Sequence, residues 1–539
     1  MRSIKYNPEL YELSKRVIHH AKAFGRTLPE IRFFVLDANE FASLLEKKVY
    51  PTSPVNIWEG RDMVSRRHRI ESGQESSIYY EVVQTGDPSY AYLNHTNNAM
   101  MQASVMAHVV GHCEFSEINV MKDSDPGRTE YVMHLVKKVD LGRWQMGDAQ
   151  YRQYWNACES LTSLIAVNSQ YNLKNTVDTD SKMSFRVKDE MAEEEGAKPY
   201  EIYSSTLSEV LGNNSSEDAL QQEMKSKVRN ETISRMGYKL RAPCQDVMGF
   251  LREFSPASEA EKSVLDYLYV VHKPQDFVIR NQIMNEGWAM YWEKKIMLEL
   301  FKEKAIKGMI DYSKVFSGVC YPRPFFQRNP YHLGYHMWCH IEELFKQGRV
   351  SLDFHEEIDL DKKKKWDKQD QKDPIEKMTH LVKTITDYEF LRRFLTPELV
   401  KKFHLNRIDR RMVRDLGIQP NDIVEDDEQY VWLQPEPVKS QMLEFFTHLY
   451  RPRIYVLDSD FHDGGLLLYH RNDGQKLKKN WIEPTLKNIN LIWKHPVSIM
   501  TQGTLCQYGA GRYKETEVGE LPFEEVVDRM RRGEKPLRG

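Results

Sequence analysis

The chain has no apolar run long enough to cross a bilayer or to serve as a signal peptide. Its first residues, MRSIKYNPELYELSKRVIHHAKAF, scatter Tyr11, Leu13, Val17 and Ile18 among charges. It also lacks an excess of either charge: 76 Lys and Arg stand against 79 Asp and Glu, so no overall field favours nucleic acid or an anionic membrane. Cysteine is sparse. Cys113, Cys158, Cys244, Cys320, Cys339 and Cys506 form no CxxC pair, which speaks against a disulfide framework and for reduced thiols in a cytoplasmic protein. The absence of GxGxxG between a strand and a helix, of a Walker A sequence and of a GxSxG elbow sets aside nucleotide-dependent and serine-hydrolase chemistry.

What is present is material for a large core: 539 residues, 40% hydrophobic and 11% aromatic, enough for roughly two to four packing units. The expected fold class is α+β. IRFFVLDA (31–38) and SIYYEVVQ (77–84) read as strands of a small sheet ahead of residue 100, and the 151–171 segment has the apolar spacing of a core helix. Residues of about 175–235 are polar and read as an exposed insertion. Helical patterning resumes over 245–310 and 329–345, with Asn329 as N-cap and Pro330 at the first helical position. DLDKKKKWDKQDQKD (359–373) reads as a solvated linker. EQYVWLQ, RIYVLDS and GLLLYHR read as strands, and WIEPTLKNINLIWK as a helix. The expected organisation is a mostly helical main domain over 1–350, a charged and helical segment over 351–425, a small α/β domain over 426–505, and a tail over 506–539.

Two segments carry candidate chemistry. His108 and His112, at i and i+4, share a helix face and can reach one metal ion; two packed or hydrogen-bonded histidines are the other reading of that spacing. In MNEGWAMYW, a helix turns Glu286, Ala289, Met290 and Glu293 to one face and Trp288 and Trp292 away from it. Two histidines with Glu286 make a three-ligand set with an open position, the way catalytic zinc is commonly held; a salt-bridged carboxylate among tryptophans is the competing reading. His332, His336 and His340 form a further ladder, read as helix packing or as a surface metal clip. His332 and His340 lie about 12 Å apart along a helix axis, too far to share an ion. Tyr331 and His332 remain candidates for substrate contact.

The order of several segments resembles the stage V sporulation protein R (SpoVR) family: YEVVQTGDPSYAYLNHTNN (80–98), AHVVGHCEFSEIN (107–119), DVMGFL (246–251), KPQDF (273–277), IMNEGWAMYW (283–292), NPYHLG (329–334), TDYEFLRRFLTPELV (386–400) and IYVLDSDFHDGGLLLYHRNDG (454–474). The resemblance implies an association with sporulation and spore cortex peptidoglycan in bacteria, although the family also occurs where no spores are made. The EGWA segment is similar to the helix that supplies the glutamate ligand of some zinc metallopeptidases, which implies a zincin-like helix pair. There are departures. Val109 stands where HExxH has its general-base glutamate, and the family's His after YW is Glu293 here.

The expectations are therefore a divalent metal, zinc, on His108, His112 and Glu286, with Glu114, Tyr331 and His332 as candidate catalytic groups. Glu114 and Glu117 could act only if the helix ends near Cys113; Glu81 and Glu159 are further candidates for the base. The reaction would be hydrolysis of an amide bond in a peptide or cell-wall precursor. The alternative is a regulatory or scaffold protein that retains a degenerate site and docks a protein partner through its C-terminal domain. Neither reading calls for nucleic acid or a membrane span.

Overall fold

The computed structural model describes residues 2–37, 40, 82–122, 128–166, 240, 242–273, 275–368, 373–449, 451–462 and 464–537. The insertion expected at about 175–235 lies outside them, as do residues 77–81 of the second expected strand. The chain is α+β and divides into two compact units, each assembled from two separate stretches: Met1–Thr129 with Gln275–Leu449, and Glu130–Pro274 with Tyr450–Gly539.

The first unit carries a four-stranded sheet in the order β1 (Arg2–Ser3), β2 (Ile31–Leu36), β4 (Ser89–Asn94), β3 (Val82–Gln84), with β2 and β4 parallel. The same unit holds helices α1 (Pro8–Ala23), α2 (Ala99–Ile118), α3 (Gln275–Lys302), α4 (Met309–Val319), α5 (Pro330–Lys346), α6 (Pro374–Thr384), α7 (Asp387–Phe394), α8 (Pro397–Lys402) and α9 (Pro435–His448). Helix α2 is buried on every side from Met100 to Phe115, as its apolar composition requires of a helix at the centre of a large core. The Asn98 side chain caps its start by accepting the Met101 N–H. Helix α5 begins as the sequence predicts, with Asn329 as cap and Pro330 following.

Helix α3 packs against both α2 and α5, and small residues set the spacing. A Cβ on Gly111 would come within 2.5 Å of the Ala289 Cα, and one on Gly287 within 2.2 Å of the Gly334 carbonyl carbon. The three helix backbones therefore approach as closely as their chains allow, which brings side chains on facing turns into direct reach. About a third of the way along α3, just before Glu286, the ladder is entered from outside. The Asp387 carboxylate accepts the N–H groups of Ile283 and Met284, both at 2.8 Å, and Trp338 Nε1 donates to the Met284 carbonyl at 3.0 Å. Asp387 is fully buried, and that burial pushes its carboxyl up to about 8 against the pull of the two amides.

Within the same unit β5 (Arg407–Asp409), β7 (Tyr430–Leu433) and β6 (Ile423–Asp426) form a small antiparallel sheet. The second unit contains helices Arg128–Met146, Asp148–Ser160, Val247–Phe254 and Glu259–His272, and a five-stranded sheet in the order β12 (Arg512–Glu517), β11 (Thr504–Gly509), β10 (Val497–Thr501), β9 (Gly465–Arg471), β8 (Arg453–Phe461). Strands β9 and β10 are parallel, and the helix Lys479–Trp493 is the crossover that a parallel pair needs.

This division differs from the one expected from the sequence. The strand in EQYVWLQ pairs with Arg407–Asp409 in the first unit, not with the C-terminal sheet. The segment expected as a tail supplies β11, β12 and the helix Phe523–Arg531. The expected linker contains Trp366, buried and packed edge-on against Phe354. Local patterning could not find these boundaries because the joins are long-range: Cys244 bridges to Val456, tying residues more than 200 apart into one unit.

Candidate metal centre

Helices α2 and α3 bring His108, His112 and Glu286 to one point. Their donor atoms lie within 4.8 Å of one another, and among the described residues this is the one group of three or more His, Cys, Asp or Glu so arranged. Glu286 Oε2 is 3.5 Å from His108 Nε2 and 3.3 Å from His112 Nε2. A tetrahedral zinc ion with bonds of about 2.0–2.1 Å holds its ligand atoms about 3.3–3.4 Å apart, so the spacing suits that ion. Both imidazoles are almost fully buried, while the Glu286 side chain keeps 18% of its surface exposed, leaving an approach from solvent.

The other ring nitrogens set the chemistry. His108 Nδ1 is 2.8 Å from Glu293 Oε2, and His112 Nδ1 is 2.9 Å from Asn285 Oδ1. Carboxylate and amide oxygens are acceptors, so each Nδ1 carries a proton, and in the neutral ring the lone pair then lies at Nε2. With both rings neutral, two lone pairs and a carboxylate face one another, an arrangement that a cation at their centre would relieve. Glu293 is itself oriented by the Ser104 hydroxyl, which donates to Oε1 at 2.6 Å. Outer carboxylates of this kind fix the tautomer and raise the basicity of ligating histidines. Sequence reasoning placed Glu293 on the right face of α3 without giving it a task, and Asn285 and Ser104 were missed. The signal was there: Ser104, His108 and His112 repeat every four residues on one helix, and Glu286 and Glu293 recur after seven on the other.

The candidate catalytic residues divide. The Tyr331 ring centroid lies 6.0 Å from that of His108, at the edge of the cluster. Glu114 does not join it, because α2 continues to Ile118 and turns this side chain elsewhere. Glu114 accepts from Arg26 Nη1 at 3.3 Å, from the Thr27 N–H at 3.0 Å and from Trp288 Nε1 at 3.0 Å. Burial pushes its carboxyl above the usual range against these three donors. The salt-bridged carboxylate among tryptophans considered for Glu286 is therefore found at Glu114. His332 is also apart: its Nδ1 is 2.8 Å from the Cys320 carbonyl, and its ring meets that of His336 edge-on. Of the other candidate bases, Glu117 pairs with Lys122, Glu159 accepts from Trp155 in the second unit, and Glu81 lies outside the described residues. Cys113 is a buried thiol pushed up to about 12 by desolvation, which makes it inert beside its histidine neighbour.

Comparison with known proteins decides the relationship. The family described as SpoVR like protein matches residues 5–441, four fifths of the chain. The chain belongs to the SpoVR family. A relative within reach is the uncharacterized protein YcgB of Escherichia coli strain K12, 22% identical over 364 residues. That match covers 65% of this SpoVR chain and 65% of the length of YcgB. No solved structure matches. Among the described residues, no helix is long and apolar enough to cross a membrane.

Proposed function

We propose that this SpoVR protein is a metal-dependent hydrolase of amide bonds, with His108, His112 and Glu286 as ligands of a divalent ion, zinc by its donor set. The observation that carries the reading is the pair of histidines whose Nδ1 atoms are anchored on Glu293 and Asn285, so that both Nε2 atoms are directed at a carboxylate. A divalent ion held there supplies Lewis acidity toward a carbonyl oxygen or a water. The chain's own contribution is orientation. Glu293 and Asn285 keep the imidazoles in one tautomer, the Gly111–Ala289 contact keeps α2 and α3 close, and Tyr331 offers a phenol beside His108 toward developing negative charge. The substrate class is a peptide or a cell-wall precursor, which rests on the family's association with the spore cortex. YcgB, being uncharacterized, contributes no reaction.

A second reading has its own support. Val109 offers no carboxylate where metallopeptidases of the HExxH type hold their base, and Glu114 is committed to Arg26 and Trp288. A regulatory or scaffold protein with a metal retained for structure, or with none, fits that deficit, its C-terminal region docking a protein partner. Elemental analysis of protein purified without a His tag separates the readings, followed by an amide-hydrolysis screen on peptides and muropeptides. The hydrolase reading expects near one ion per chain, lost in H108A and E286A together with turnover. Absence of metal after reconstitution sinks it, and metal without any turnover moves the assignment to the scaffold.

A further inference from the structure

The first unit contains a half-open cavity of about 480 Å³, lined by Lys294, Phe316, Tyr335, His336, His340 and Phe403, with Lys402 and Glu343 also in the lining. None of the three metal-site donors lines it. The volume falls within the range of small-molecule sites, and three aromatic rings against a few polar groups is the usual composition of such a site.

Its charge is one-sided. Lys294 is half-buried and held in place: Nζ donates to the Tyr335 hydroxyl at 2.7 Å and sits over the Tyr335 and Phe316 rings at 5.2 and 5.5 Å. Lys402 is exposed. Among the described residues, neither lysine has a carboxylate within ion-pairing distance. Glu343, the one acid of the lining, is exposed. Burial, His332 and both lysines depress the His336 imidazolium to about 4, so at neutral pH the ring is an uncharged donor and acceptor. Both lysines oppose a cation here. Two ammonium groups lacking a counter-charge, beside two neutral imidazoles and a phenol, favour an anion.

We propose that this cavity binds a small molecule bearing an oxyanion, a phosphate or a carboxylate, between Lys294 and Lys402, with its apolar body against Phe316, Tyr335 and Phe403. The site does not depend on a metal at His108, His112 and Glu286.

The test is equilibrium dialysis of the full chain, kept in chelator and at constant ionic strength, against labelled inorganic phosphate and labelled malonate. One saturable site per chain is expected for at least one anion, weakened tenfold or more in K294M and in K402M and largely restored in K402R. Because Lys402 is exposed, K402M keeps its fold, which its unfolding midpoint checks. Preference for phosphate assigns a phosphorylated ligand, and preference for malonate a carboxylic acid. Failure of both anions to saturate, or binding unchanged in both methionine variants, overturns the proposal.

Discussion

Two runs of histidine share one spacing and differ in everything else. On α2, His108 and His112 have their Nδ1 atoms on acceptor side chains and their Nε2 atoms toward Glu286. On α5, His332 gives its Nδ1 to a backbone carbonyl, and His336 and His340 line a cavity with Lys294, Lys402 and a single, exposed acid, Glu343. Spacing at i and i+4 determines only that two imidazoles share a face; what the opposing helix offers determines what they do. The candidate metal site of the first run therefore rests on Glu286, Glu293 and Asn285 of α3 as much as on the histidines.

The largest effect separates the runs outright. H112A should abolish metal binding, measured by elemental analysis, whereas H332A and H340A should leave the metal content of the parent; loss of metal from the α5 variants would erase the distinction. Next comes the buried acid that stands near the first run without serving it. E114A strands Arg26 in the core and should cost about 3–5 kcal/mol in denaturant unfolding at unchanged metal stoichiometry. A stable E114A that fails to bind metal would return Glu114 to the site. A smaller effect is expected of E293Q, which should weaken metal affinity about 10–100-fold in competition with a chelator, as loss of a second carboxylate behind a ligating histidine does.

The smallest effect concerns acid. The folded chain holds His336 near 4, below its unfolded value near 6.5, because burial, His332 and the lysines oppose its protonation. Between those values the unfolded chain binds the extra proton, so this contribution to stability is complete above about pH 6.5 and drains away toward pH 4. H336L should flatten the fall by on the order of 1–2 kcal/mol, screening included. An identical slope in parent and variant would show that the ring does not sense those neighbours.

Much of this is legible in the order of residues alone. The capped start of α5, the strands Ile31–Leu36, Arg453–Phe461 and Gly465–Arg471, and the face of α3 bearing Glu286 and Glu293 all follow from periodicity and cap chemistry. Convergence of the donor atoms does not. It depends on Gly111 meeting Ala289 and Gly287 meeting Gly334, contacts between positions more than 40 residues apart that no local pattern encodes. The same limit hid the partners of Glu114: Arg26 is 88 positions away, and only the burial of both makes the pair compulsory.

Asp387 gives the domain question a practical form. All three donors precede residue 300, so a fragment ending at 350 would retain every atom of the centre. Yet the carboxylate that grips the amides of Ile283 and Met284, one turn ahead of Glu286, arrives from a helix beginning 37 residues beyond that cut. A fragment trimmed to the expected main domain would carry the three candidate ligands without the carboxylate that holds the helix just ahead of Glu286, so a stretch meant to present the candidate centre should extend through α7.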